Sequence, residues 1–232
     1  MSRGWLIVFA KAPRPGLVKT RFAPPLSLDQ AAELYEAMLA DVLVESIRAA
    51  AEHGLEPVLA FYPPDAVNEI VNRSPAAFRL QIQRGGGLAE RMANAFAEAF
   101  AAGAPFALLR GSDSPALGGE HFANMIARLS AGDDLVLTPD AGGGYAMVGQ
   151  RASHGVPLSA LFDVPMSTDE TLGKTLEIAE AHGLRYSVTE STIDLDRAAD
   201  IQALDSMPEE VLLDRCPRTV EAILNLQEIG VL

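Results

Sequence analysis

Short apolar runs alternate along the chain with longer stretches in which apolar positions recur every three or four residues. Trp5-Leu-Ile-Val-Phe9 is continuously apolar, the signature of a strand buried on both faces. Leu34, Met38 and Val42, with Tyr35, Leu39 and Leu43 beside them, mark the apolar face of a helix. Ser27 and Gln30 have capping-box spacing at its start, and His53-Gly54 supplies the glycine expected at its left-handed end. The same reading predicts strands at 57–62, 78–83, 106–109, 135–138, 145–148 and 185–188. It predicts helices near 66–72, at 88–102, up to 129, from a Ser167/Glu170 capping box to Gly183, and in a tail from about 207. Strand–helix alternation of this kind makes an α/β sandwich with a mostly parallel sheet. No repeat, linker or domain boundary interrupts it, so residues 1–232 read as a single domain.

Composition narrows the setting. Apolar residues are 49% and charged residues 21% of the 232, which excludes a disordered or low-complexity chain. The single cysteine, Cys216, cannot form an internal disulfide. A net charge of −13 argues against a nucleic-acid or anionic-membrane partner. The first apolar run stops at Lys11, too short for a secretory signal or a membrane span, so the expected location is the cytoplasm.

In parallel sheets, ligands bind beyond the carboxyl ends of the strands. Three polar segments fall there. The first holds Lys11, Arg14, Lys19 and Arg21, cations suited to a pyrophosphate, although a solvated basic turn has the same composition. It is neither a Walker A loop nor a Gly-x-Gly-x-x-Gly turn. The second, Gly111-Ser-Asp-Ser-Pro115, offers Asp113 either as a ligand for Mg²⁺ or Mn²⁺ or as an Asx-turn cap. The third runs through Gly142, Gly143 and Gly144, where backbone amides suit a phosphate or sugar and a bulged hairpin fits equally; Asp140 is its ionisable group. Asp194 and Asp196 have the alternate spacing that puts both carboxylates of an extended segment on one side, for a metal with Asp113, while Asp196 also suits a cap for a helix near Ala198. His53 and His182 each precede a helix-ending glycine, and no metal-ligand spacing links the histidines and Cys216.

Taken together, Phe9-Ala-Lys-Ala-Pro-Arg-Pro-Gly-Leu-Val-Lys-Thr-Arg21, Leu88-Ala-Glu-Arg-Met92, Gly111-Ser-Asp-Ser-Pro115, Gly143-Gly-Tyr145, Pro165-Met-Ser-Thr168 and Asp194-Leu-Asp196 resemble a bacterial family of glycosyltransferase-A-type, nucleotide-diphospho-sugar transferase-like enzymes. Some members are labelled arsenosugar-biosynthesis glycosyltransferases or radical-SAM-associated transferases. The resemblance spans about residues 5 to 204 and extends more distantly to 2-phospholactate guanylyltransferase. It implies a Rossmann-like three-layer α/β/α sandwich with a mostly parallel mixed sheet. It also implies phosphate contacts from Lys11, Lys19 and Arg21, further nucleotide contacts from Pro15, Gly16, Gly143 and Gly144, and a divalent metal on Asp113 with Asp194 or Asp196. The chain departs from the family pattern at Gly87 and Gly142, where aspartates are usual, and at Arg197-Ala-Ala199, where Thr-Pro-Glu is usual.

The implied reaction is transfer of a glycosyl group from a nucleotide sugar to a small-molecule acceptor. Lys19 and Arg21 stabilise the leaving diphosphate and Asp140 serves as base. Two alternatives compete with it: nucleotidylyl transfer with release of pyrophosphate, which the dense cations of the first loop favour, and nucleotide binding without catalysis, which the missing aspartates favour. The apolar tail positions Val211, Leu212, Ile223, Leu224 and Leu226 suit either a homo-oligomer contact or docking on the core.

Overall fold

A computed structural model describes residues 3–152 and 155–232. In chain order the elements are β1 (Trp5–Lys11), α1 (Leu28–His53), β2 (Glu56–Tyr62), α2 (Val67–Arg73), β3 (Arg79–Ile82), α3 (Leu88–Ala101), β4 (Phe106–Arg110), α4 (Gly119–Ser130), β5 (Leu135–Pro139), β6 (Tyr145–Arg151), α5 (Leu158–Leu161), α6 (Thr171–Ala181), β7 (Tyr186–Val188), α7 (Ile201–Leu204), α8 (Glu209–Arg215) and α9 (Pro217–Glu228). The strands form one mixed sheet in the order β3-β2-β1-β4-β6-β5-β7. Only β6 runs against its neighbours, β4 and β5.

Helices cover both faces of the sheet, giving a Rossmann-like α/β/α sandwich. Trp5, Ile7 and Phe9 of β1 pack toward α3, α5 and α6, while Leu6, Val8 and Ala10 pack toward α1, α2 and α4. That two-sided burial is why β1 reads as an unbroken apolar run. The predicted cap of α1 is present. Gln30 N–H donates to Ser27 Oγ at 3.1 Å, Ser27 N–H donates to Gln30 Oε1 at 2.8 Å, and Gly54 closes the helix at φ +65°.

The capping box expected at Ser167 and Glu170 does not form. Ser167 adopts φ +60°, and α6 starts only at Thr171, whose hydroxyl donates to Pro165 O at 2.7 Å. The turn is closed by threonines, with Glu170 N–H donating to Thr168 Oγ1 at 3.3 Å.

α1 is apolar on two sides because it is covered twice. Tyr35, Leu39, Val42 and Leu43 face the sheet; Ala31, Leu34 and Met38 face the C-terminal helices. Ile223 and Leu226 of α9 are buried there, and Leu212 packs against them, so these tail positions dock on the core. The buried Asp41 carboxylate ties the first turn of α9 to α1, accepting from Thr219 N–H at 2.7 Å and from its hydroxyl at 2.8 Å. Among the described residues no helix is long and apolar enough to cross a membrane.

Candidate active site

The carboxyl ends of β1, β4 and β5 lie on one rim, and the three polar segments gather there. After β1 the chain turns at 14–17, with Gly16 at φ +80°. Val18 and Phe22 are then buried in two different apolar clusters, and of the three residues between them one is turned inward while Thr20 and Arg21 stay exposed. That residue is Lys19. It holds φ +45°, a conformation costing a non-glycine residue about 1–2 kcal/mol, and its side chain is only 3% exposed. Its ammonium donates to Asp113 Oδ1 and, at 3.1 Å, to Asp196 Oδ1. Arg21 Nη1 reaches Asp196 Oδ2 at 3.4 Å from the outside. Burial works against the charge on Lys19, but Asp113 and Asp196 outweigh it and hold its pKa above the ordinary value.

Asp113 is held by its neighbours' backbone. Arg110, fully buried at the end of β4, donates to Ser114 O at 2.7 Å and Gly111 O at 3.3 Å, bracketing the loop. Burial pushes its pKa down to about 10. The Tyr35 hydroxyl accepts from Lys11 N–H at 2.9 Å and bonds Ser112 Oγ at 2.8 Å, linking β1 to the same loop. Leu195 N–H donates to Asp113 O at 2.9 Å, and Leu195 is fully buried among the tail helices. The aspartates on either side of it therefore stay at the rim, Asp196 on Lys19 and Asp194 on the Ser114 hydroxyl.

Burial, reinforced by the charges of Asp113 and Asp140, raises Asp194 from 3.8 to about 7. A carboxyl whose folded pKa lies above its unfolded one contributes stability that is whole below the unfolded value and lost as pH climbs through the folded one. Metal-free protein is therefore expected to lose stability from about pH 4 to about pH 7, the interval of that shift. Asp194→Asn should flatten this part of the profile; melting curves of the two proteins that stay parallel across the interval would contradict it.

The glycine segment is the bulged hairpin, with the register shift between Thr138 and Pro139. Asp140 Oδ1 accepts from Gly142 N–H at 2.7 Å and Gly144 N–H at 2.9 Å, so these amides serve the loop itself. Gly143 sits at φ +83°, where any side chain would overlap the backbone of Asp169, and its carbonyl accepts from Leu172 N–H at 2.9 Å.

Residues 44–168 match the family described as an uncharacterized protein conserved in bacteria, DUF2064. The chain belongs to this family. No protein of curated function matches it in sequence. A structure from Desulfovibrio desulfuricans G20, provisionally named a nucleotide-diphospho-sugar transferase, is 25% identical, covers 98% of this chain and 96% of its own, and has a TM-score of 0.85. Two more distant structures share the fold. One is a cytidylyltransferase from Leptospira borgpetersenii (11% identity, 98% and 95% covered, TM-score 0.55). The other is the glucosyl-3-phosphoglycerate synthase of Mycobacterium tuberculosis, solved with Mn²⁺, UDP and glucosyl-3-phosphoglycerate (13%, 93% and 81%, 0.52). The architecture is thus that of nucleotide-using transferases.

This member of the family does not aim all of its first-loop cations at one point. Arg14 lies on Glu69 at 2.6 Å and Asp65 at 3.1 Å, while Lys11, Pro15 and Gly16 are exposed. Nor do the three aspartates converge. Among the described residues no three His, Cys, Asp or Glu side chains share a metal position. Asp113 and Asp196 do meet, on the ammonium of Lys19, and their side chains are 46% and 47% exposed. Two carboxylates that already share one cation, open to water on their other sides, fit Mg²⁺ or Mn²⁺, which take few protein oxygens and fill the rest with phosphate and water.

Asp196 does not cap the following turn; the Asp200 carboxylate does, accepting from Asp196 N–H and Arg197 N–H at 2.7 Å each. At Gly87 a side chain would meet open space, and Glu90 instead caps the start of α3 through Gly86 N–H at 2.9 Å. Arg110, Tyr35 and Ser114 support the site in ways the sequence reading does not assign: Tyr35 is read only as part of an apolar helix face, and Ser114 only as part of its motif. A charged residue ending the apolar run 106–109 is the one visible signal, and it belongs to Arg110.

Proposed function

We propose that the chain, as one domain, transfers a glycosyl group from a nucleotide-diphospho-sugar to a small-molecule acceptor, with Asp113 and Asp196 as the seat of Mg²⁺ or Mn²⁺. The observation that carries this reading is the meeting of Lys19, Arg21, Asp113 and Asp196 at the rim. The end-to-end likeness to the Desulfovibrio protein supports the donor class. A divalent ion, when bound, neutralises charge on the leaving diphosphate. Lys19 and Arg21 bind its oxygens and hold them in place as negative charge develops. Asp140 keeps Oδ1 on its own loop, which leaves Oδ2 to accept a proton from an acceptor hydroxyl.

Nucleotidylyl transfer draws on four cations in the first loop, and the diversion of Arg14 to Asp65 and Glu69 weakens that argument. The test is a melting panel of UDP-sugars, GDP-sugars and the four nucleoside triphosphates with and without Mn²⁺. A true donor at 100 times its dissociation constant adds about 2.7 kcal/mol. Metal-dependent stabilisation by a diphospho-sugar, followed by release of the nucleoside diphosphate in turnover, is the expected result. Pyrophosphate released from a triphosphate would overturn it.

A further inference from the structure

We infer that Lys19 occupies the cation position between Asp113 and Asp196 and must leave it before a divalent metal can enter, so that a phosphate ligand and the metal bind as a coupled pair. The inference rests on the proposed metal seat and deepens it.

Both Oδ1 atoms that would turn to a metal are spent on one ammonium, at 3.1 Å for Asp196 and closer for Asp113. A dication cannot share that gap with the buried ammonium, because like charges within about 4 Å repel and the same carboxylate oxygens would have to serve both. The gap calls for a positive charge in any case, since the carboxylates of Asp113 and Asp196 meet there, with Asp194 near enough to Asp113 to act on it electrostatically. Lysine or metal supplies that charge, one at a time.

The anchoring of the loop fits an exchange by the side chain alone. Val18 and Phe22 pin the backbone on either side of Lys19 in separate apolar clusters, so that the rotatable bonds of its four-carbon stem are what can carry the ammonium elsewhere. Arg21 lies on the outer side of Asp196, with its side chain 55% exposed, so an incoming phosphate meets it first and then accepts the displaced ammonium. The freed carboxylate oxygens then face the metal. Linkage makes the coupling reciprocal: whatever factor a phosphate ligand adds to metal affinity, the metal returns to the ligand.

The deciding experiment titrates Mn²⁺ alone into wild-type protein, Lys19→Met and Lys19→Gln, following free Mn²⁺ by its paramagnetic resonance signal. Both variants are expected to bind Mn²⁺ about tenfold or more tightly than wild type, since one neighbouring charge shifts an ionic equilibrium by about one to three powers of ten. Adding Asp196→Asn to Lys19→Met should abolish the gain, and melting curves establish that each variant is folded. Equal or weaker Mn²⁺ binding by the folded lysine variants would overturn the inference. If wild type binds Mn²⁺ in the presence of UDP or GDP while the variants show no gain, the inference fails and the metal seat stands. If no protein binds Mn²⁺ under any of these conditions, both fail.

Discussion

Asp113→Asn is expected to slow metal-dependent transfer by about a hundred- to a thousandfold, the range found when one group that meets transition-state charge is removed. The substitution keeps shape and volume but takes away the charge that faces Lys19. The loop itself should persist, because it is held through main-chain atoms and other side chains. Leu195 N–H bonds Asp113 O, Arg110 brackets Gly111 O and Ser114 O, and Tyr35 holds Ser112. Steady-state rates with the donor found in the melting panel, at saturating Mn²⁺, check the prediction. A loss smaller than tenfold in a protein of unchanged melting temperature would remove Asp113 from the machinery.

Asp41→Ala should produce the largest loss of stability, about 2–4 kcal/mol. The side chain is 1% exposed and accepts three bonds from the first turn of α9 and one, at 3.4 Å, from the Arg218 guanidinium. Alanine removes a helix cap, worth about 1 kcal/mol, and strands buried donors at about 1–3 kcal/mol in all. For a chain of this length that is a fall in melting temperature of roughly 5–15 °C. Asp41→Asn retains an acceptor and should recover part of it. A melting point within about 2 °C of wild type would show that α9 does not depend on this carboxylate.

The layers of the fold were legible because they rest on local periodicity. The apolar run at 5–9, the Ser27/Gln30 box and Gly54 all fall within one element and need no knowledge of distant partners. The Ser167 box failed because a left-handed residue changes the direction of the chain, and pattern alone does not carry that. The rim position of the candidate residues was also legible, since strand ends dictate it. Their pairing was not. Lys19 finds Asp113 across 94 residues and Asp196 across 177, and nothing in the sequence says that a lysine expected on phosphate lies between two carboxylates expected on a metal. Arg14 was counted with the phosphate cations because Asp65 and Glu69 are equally remote from it in the chain.

The apolar cluster under the tail has a consequence for how the site comes into being. Phe22 from the first loop, Ala116 beside the Asp113 loop, Leu195 between the two aspartates, and Cys216, Ile223 and Leu226 from the tail all lie in it. Three segments of the rim thus share one foundation, and that foundation needs helices from both ends of the described chain. Lys19 and Asp113 belong to segments that precede or lie within the sheet, whereas Asp196 and the helices that seat Leu195 follow every strand of it in the chain. Strands in order bring Lys19 to Asp113, but the second carboxylate of the cation position comes only with the segment that this apolar cluster holds down.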